Sequence, residues 1–232
     1  MTELILVRHG QAGATPEAYD QLSPLGREQA LRLGRWLLAH GRDFAVSASG
    51  RMRRQRETLG AVAEIYAQDG RELPAAEILS GLDEYSFVEV VRAFASKYPD
   101  HPDVSVVRDQ AKDKRLWLSL LRTALSAWMT GDLESVSEGF VSFRERTGAA
   151  LQQLTERLAR GPVLAVSSGG VMGQVAQHLL GFPDSTLIDI NFSLMNTAIC
   201  EYRLTRSGLK LVSLNTLPHL SAPDDRSLLT VV

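Results

Sequence analysis

Two short apolar runs frame the chain: Leu4-Ile5-Leu6-Val7 near its start and Val163-Leu164-Ala165-Val166 in its last third. A run without polar alternation predicts a strand covered on both faces, as in a parallel sheet. A different period follows each run. Ser23-Pro24 predicts a helix start, with an N-cap hydroxyl and proline at the first helical position. Leu25, Ala30, Leu33, Leu37 and Leu38 supply the apolar face of that helix, up to about His40-Gly41. After the second run, Ser168-Gly169-Gly170 turns into a further helix from Val171.

Between these units the pattern predicts a short strand over 44–47, a helix over 52–66 and a short extended piece at Ile78, Leu79 and Leu82. Residues 85–130 read as helical. Trp117, Leu120, Leu121, Ala124 and Trp128 recur there at helix spacing, and a loop over 97–102 divides the region. A helix starts near Ser135, with Phe140, Phe143, Thr147, Ala150, Leu151, Leu154 and Leu158 on one face. Segments 187–190, 197–204 and 209–214 read as closing strands. The order predicts an α/β fold: three α/β/α layers, a mostly parallel central sheet, and a helical cap inserted at about 85–132. There is no repeat and no linker, so residues 1–232 read as one domain.

Composition narrows the function classes. The 232 residues are 44% apolar, enough for a sizeable core, and carry a formal charge of -2. That balance predicts no nucleic-acid and no membrane partner. The single cysteine, Cys200, and five scattered histidines offer no metal-ligand spacing, so no metal and no cofactor are expected. The acidic, weakly apolar start does not read as a signal peptide, and no stretch has the length of a membrane span. A soluble, cytoplasmic protein is expected.

Four motifs carry chemistry, each placed by the pattern where a strand ends. Ligands of open α/β sheets bind there. Arg8-His9-Gly10 sets a fixed cation beside an imidazole that can act as a neutral nucleophile near pH 7. The stretch 49–58 holds four arginines in six residues. Helix geometry puts Arg51, Arg54 and Thr58 on one face and Arg53 and Arg56 elsewhere. That stretch reads as an anion pocket at a helix start, a solvated face or a nucleic-acid patch. Asp83-Glu84 offers a general acid or a helix-cap pair. Ser167-Ser168-Gly169-Gly170 offers an anion nest or a plain crossover turn.

With these four pieces in order, the chain resembles the histidine phosphatase superfamily, which holds cofactor-dependent phosphoglycerate mutases and many phosphatases. The resemblance rests on residues 6–10, 22–30, 49–58, 82–84 and 166–171, with Asn196-Thr197-Ala198 similar to the strand beside that family's site. It implies that His9 becomes phosphorylated, that Arg8 and Arg54 clamp the phosphoryl group, and that Glu84 donates the proton. It also places Gln11, Ser168 and Gly169 among the substrate-binding positions.

The chain departs from the family pattern at Ser168, where the family carries a second histidine. Serine keeps one donor and loses the charge. Ser168 with nearby N–H groups, or His219, compensates in one outcome; in the other the protein is a weakly active or inactive phosphate-binding relative. The resemblance implies a phosphoric monoester hydrolase acting on a small phosphorylated substrate and releasing phosphate ion. A phosphoglycerate mutase-like phosphotransferase is the alternative. It ranks lower because Gln11-Ala12 follows Arg-His-Gly where mutases carry Glu-Ser. Substrate identity and oligomeric state are not legible.

Overall fold

The computed structural model describes residues 2–13, 15, 20–105 and 114–231. Its strands are β1 (Glu3–Arg8), β2 (Val46–Ser49), β3 (Glu77–Ile78), β4 (Val163–Ser167), β5 (Ile199–Thr205) and β6 (Gly208–Thr216). Its longer helices are α1 (Pro24–Ala39), α2 (Arg53–Gln68), α3 (Phe87–Lys97), α4 (Lys114–Met129), α5 (Phe140–Arg157), α6 (Gly169–Leu180) and α7 (Asp184–Ser193). The sheet order is β3-β2-β4-β1-β5-β6. The pairs β3–β2, β2–β4 and β4–β1 are parallel; β1–β5 and β5–β6 are antiparallel. The sheet is therefore mostly parallel, with an antiparallel hairpin added at one edge.

Both apolar runs are the buried strands their pattern predicts. In β1 the side chains alternate across the sheet. Leu4 and Leu6 join a core that includes Phe94, Trp128, Phe143 and Met172, whereas Ile5 and Val7 join one built from α1 and α2 through Leu33, Leu37, Val62 and Tyr66. Each of these strand side chains is fully buried, and each such burial stabilises the fold by about 1.5–3 kcal/mol. Two cores on opposite faces make the three layers.

Ser23 caps α1 as expected, accepting from the Gly26 N–H at 3.0 Å, with Pro24 opening the helix. The start of α1 packs hard against the chain that leaves β1. A Cβ on Gly10 would lie 2.4 Å from the Gly26 carbonyl oxygen, and one on Gly26 would lie 2.1 Å from the Gln11 carbonyl oxygen. Two facing glycines let backbone meet backbone here.

Three expectations are corrected. Residues 187–190 are helical, inside α7, with Leu187 and Ile188 in the core. A four-residue run such as Leu-Ile-Asp-Ile fits a strand or a helix turn equally well, and packing decides. The helix expected from Ser135 begins at Phe140, after the N-cap Gly139. Ser137 instead donates its hydroxyl (2.5 Å) and its N–H (3.0 Å) to Glu89 of α3, which holds the connector outside the helix. Arg51 precedes α2 rather than sharing its inner face.

Ala at a helical glycine is ordinarily favoured by up to about 1 kcal/mol. Gly26→Ala is expected to destabilise by about 1–3 kcal/mol despite that, because the clash is with backbone. Gly60→Ala, on the exposed face of α2 with nothing near its Cβ position, is expected to stabilise by about 0.5–1 kcal/mol. Urea midpoints of the two variants check the opposite signs.

Candidate active site

Three parallel strands end side by side. Arg8 pairs in register with Ser167, the His9 N–H donates to the Ser167 carbonyl (2.9 Å), and the Gly50 N–H donates to the Val166 carbonyl (3.4 Å). The loops after β1, β2 and β4 therefore converge.

His9 sits at the centre, 6% exposed. Its backbone is pinned on both sides. The Gly10 N–H donates to Thr58 Oγ1 (3.0 Å), while Asn196 Nδ2 (3.2 Å) and the Thr197 N–H (3.3 Å) donate to the His9 carbonyl. The ring is oriented as well. Nδ1 lies 2.7 Å from the Gly10 carbonyl oxygen, which can only accept, so Nδ1 carries the proton. Arg54 Nε donates to Nε2 at 3.1 Å, so Nε2 presents its lone pair. Burial, followed by the Arg54 and Arg8 charges, holds the imidazole well below its usual pKa and keeps it neutral.

Arg54 is buried on α2, and its Nη1 meets Asp20 Oδ1 at 3.0 Å. The other Asp20 oxygen accepts from the Arg53 N–H at 3.2 Å, so a carboxylate rests on the N-terminal end of α2. Arg8 is buried too. Its Nη1 donates to the carbonyls of Leu194 and Val231, the latter at 2.6 Å. Residues 228–231 are tied down beside it. Gln29 Nε2 donates to the Leu228 carbonyl (2.6 Å) and Thr230 Oγ1 (2.8 Å), and Thr230 Oγ1 donates to Asn196 Oδ1 (2.9 Å). Among the expected phosphate ligands, His9 and Arg54 are in direct contact, and Arg8 approaches through the β1 end.

Glu84 reaches the same place from the loop after β3. Its Oε2 accepts from the Gly170 N–H (2.8 Å) and its Oε1 from the Tyr85 N–H (3.2 Å). A Cβ on Gly170 would fall 2.3 Å from Glu84 Oε1, so only glycine admits this carboxyl. Burial raises the Glu84 pKa, opposed by the Gly170 N–H and by Arg54 and Arg8. Asp83 turns the other way: its two oxygens take the Arg51 N–H and Nε, both at 2.6 Å. With Arg51 on Asp83, Arg53 on Glu57 and Arg54 on Asp20, three of the four arginines in 51–56 face carboxylates.

Ser168 is 1% exposed at the N-cap of α6, yet its side chain makes no cap bond. Its Oγ accepts from Gln55 Nε2 at 2.9 Å, and the same amide nitrogen donates to the Leu82 carbonyl at 2.9 Å. Ser167 Oγ donates to that carbonyl as well, at 2.7 Å. One carbonyl two residues before Glu84 thus joins α2, β4 and the acidic loop. Gly169 lies at the first turn of α6; a Cβ there would lie 3.7 Å from Arg8 Nε. Gln11 Oε1 accepts from the Ser23 hydroxyl at 2.8 Å. His219 does not approach Ser168. Its Nε2 pairs with Thr197 Oγ1 at 2.8 Å, behind the His9 backbone.

The sequence reading missed Gln55 and Asp20. Gln55 is fully buried, which is unusual for a glutamine, and nothing in its spacing marks it beyond its place after Arg54.

With the geometry in place, comparison with known proteins gives the class. The histidine phosphatase superfamily (branch 1) model matches residues 4–217, and the chain belongs to that superfamily. It is 34% identical over 86 residues to 2,3-bisphosphoglycerate-dependent phosphoglycerate mutases of Methylorubrum extorquens and Methylorubrum populi; the match spans 34% of this chain and 41% of theirs. Among solved structures, a phosphoserine phosphatase mutant from Entamoeba histolytica in complex with phosphoserine superposes with TM-score 0.64 at 17% identity, covering 95% of this chain and 100% of that one. A putative α-ribazole-5′-P phosphatase from Escherichia coli gives TM-score 0.63 at 21% identity (92% and 96% covered). A phosphoglycerate mutase from Bacillus anthracis gives 0.65 at 18% (94% of each chain). These likenesses show the shared fold. Among the described residues, no helix is long and apolar enough to cross a membrane and no acidic, histidine or cysteine cluster could hold a metal.

His219 predicts an acid-sensitive stability. Burial, with the Arg32 charge adding to it against Asp225, lowers its pKa from 6.5 to about 4. Below pH 6.5 the unfolded chain takes up a proton at this residue that the folded protein refuses until about pH 4. Folded stability therefore falls by about 3 kcal/mol as pH drops through that window, and the loss is complete below it. His219→Asn is expected to remove this part of the slope. Melting temperatures measured from pH 7 to 4 check it, and parallel profiles for the two proteins would refute the assignment.

Proposed function

We propose that the protein is a metal-independent phosphomonoesterase working through a phosphohistidine at His9. The observation that carries this reading is the state of the imidazole: neutral, protonated on Nδ1 by the Gly10 contact, with the Nε2 lone pair facing a buried arginine. A neutral, oriented ring beside a cation suits nucleophilic attack on a phosphoryl group.

In the first step the Nε2–P bond forms and the P–O bond to the alcohol breaks. Arg54 exchanges its contacts with Nε2 and Asp20 for phosphoryl oxygens, and Arg8 and the Gly169 end of α6 take others. Glu84 gives its proton to the leaving oxygen; its raised pKa favours the protonated form at the start. In the second step water attacks phosphorus, Glu84 takes the water's proton, and the N–P bond breaks to release phosphate. The arginines supply positioning and charge neutralisation, which dominate phosphoryl transfer. Gln11, held by Ser23, lines the approach to the phosphoryl group.

Ser168 serves as a neutral donor in this scheme. Because its oxygen already accepts from Gln55, its hydroxyl proton is left to point at the phosphoryl oxygens. The region 85–132 is the cap of a single domain that spans residues 1–232. The reading gives a small phosphorylated substrate, no cofactor and no nucleic-acid or membrane partner. A reducing, cytoplasmic setting suits a chain whose one thiol, Cys200, is buried. Transfer of the phosphoryl group to a second alcohol, as in the mutase relatives, would use the same residues.

The test is chemical. Incubation with an aryl phosphate is expected to put acid-labile phosphate on residue 9, and His9→Ala should abolish both label and turnover. Glu84→Gln should slow alkyl esters about 10²-fold or more and aryl esters far less, since good leaving groups need no proton. Ser168→Ala should lower kcat by about 10²-fold through loss of one donor. Hydrolysis without any label on His9 overturns the reading, and rapid interconversion of phosphoglycerate isomers moves it to the mutase.

A further inference from the structure

A cavity of about 1360 Å³ opens between α3 and α4. Its walls are mostly apolar, with Val91, Leu118, Leu121 and Phe192 among them, and Arg92, Arg115 and Arg122 also line it. Pockets for drug-sized organic ligands run to about 300–1,000 Å³, so this one exceeds what a small polar phosphoester fills. Two of its apolar residues are about half exposed: Val88 at 47% and Leu118 at 46%. Exposed apolar surface gathered in a concave site marks a place for a ligand.

Three lining residues of the cavity adjoin the His9 cluster through the chain or a hydrogen bond. Val231 lines it, and the Val231 carbonyl accepts from Arg8 at 2.6 Å. Phe87 lines it, three residues after Glu84 and two after Tyr85, whose hydroxyl accepts from Asn191 Nδ2 at 3.0 Å. Phe192 lines it, one residue after that Asn191, whose Oδ1 lies 2.7 Å from the Cβ position of Gly169. A group attached to a phosphoryl on His9 and leaving past Glu84 meets these walls. We propose that the cavity between α3 and α4 is the leaving-group pocket, and that the substrate is a phosphomonoester of a bulky apolar alcohol. The inference rests on the phosphatase reading for the position of the phosphoryl group, and on the cavity alone for the chemistry of the rest.

Continuity with the site favours the substrate over a second copy of the chain as occupant. Both are distinguished by experiment. Calorimetry with methyl-, hexyl- and decylphosphonate measures binding without turnover, and hydrolysis of ethyl, hexyl and decyl phosphate measures kcat/KM. Burying a methylene is worth about three- to fourfold in affinity, so decylphosphonate is expected to bind at least about 100-fold tighter than methylphosphonate after chain-ordering losses. The hydrolysis series should rise in the same order. Leu118→Glu and, independently, Val88→Glu should bring the decyl-to-methyl ratio toward one; both residues are about half exposed, so folding tolerates them, and melting temperatures verify that. Equal affinities along the series overturn the proposal even if every ester is hydrolysed. A chain-length gain in binding with no ester hydrolysed sustains the pocket while the phosphatase reading falls. A concentration-dependent dimer that Leu118→Glu dissociates, with no chain-length effect, assigns the face to a second copy and overturns it too.

Discussion

The parallel pairing of β1 with β4 and β4 with β2 is the constraint from which the site follows. Parallel strands end at the same edge, and the ladder sets Arg8 opposite Ser167 with no freedom to slip. A slip of one residue would exchange Leu4 and Leu6 with Ile5 and Val7 between two cores of different shape. The register that buries the apolar runs is thus the register that brings His9, Ser168 and the loop after β2 together. Core packing and catalytic geometry are one specification.

That edge then holds groups the rest of the fold must support. Two buried arginines, a buried histidine and a part-buried glutamate gather there from three separate segments. Burial of charge is unfavourable without partners. Backbone groups supply much of the answer. Leu194 and Val231 carbonyls take Arg8, the Gly10 carbonyl takes His9, and the Gly170 and Tyr85 N–H groups take Glu84. Arg54 meets the carboxylate of the exposed Asp20. Burial and the two neighbouring arginines keep the imidazole unprotonated.

Much of this was legible in the chain. The two unbroken apolar runs, the Ser23-Pro24 helix start and the order of the four motifs led directly to β1, β4, α1 and the ring of site residues, because each signal is local. What was not legible depends on tertiary partners. Segment 187–190 became helix because α7 packs Leu187 and Ile188 against the core, which the short run does not encode. Arg51 left the expected inner face because α2 begins two residues later and Asp83 holds both its N–H and its guanidinium. Trp117 and Trp128 share a helical period, yet Trp128 is core and Trp117 faces the cavity. The Gln11 side chain accepts from the Ser23 hydroxyl, a contact no spacing announces.

The neutral serine at position 168 acquires a physical meaning from this packing. An imidazolium in that position would be a third cation near Arg8 and Arg54, in a space where burial pushes the Glu84 carboxyl toward its neutral form. A serine adds no charge, and its oxygen is small enough for Gln55 to reach across from α2 while still bonding the Leu82 carbonyl. That same carbonyl fixes the strand-to-loop passage leading to Glu84. Ser168 therefore belongs to a neutral relay linking α2, β4 and the acidic loop. Within such a relay, the positions of Glu84 and of the Ser168 hydroxyl are set together, and a change at Gln55 is felt at both.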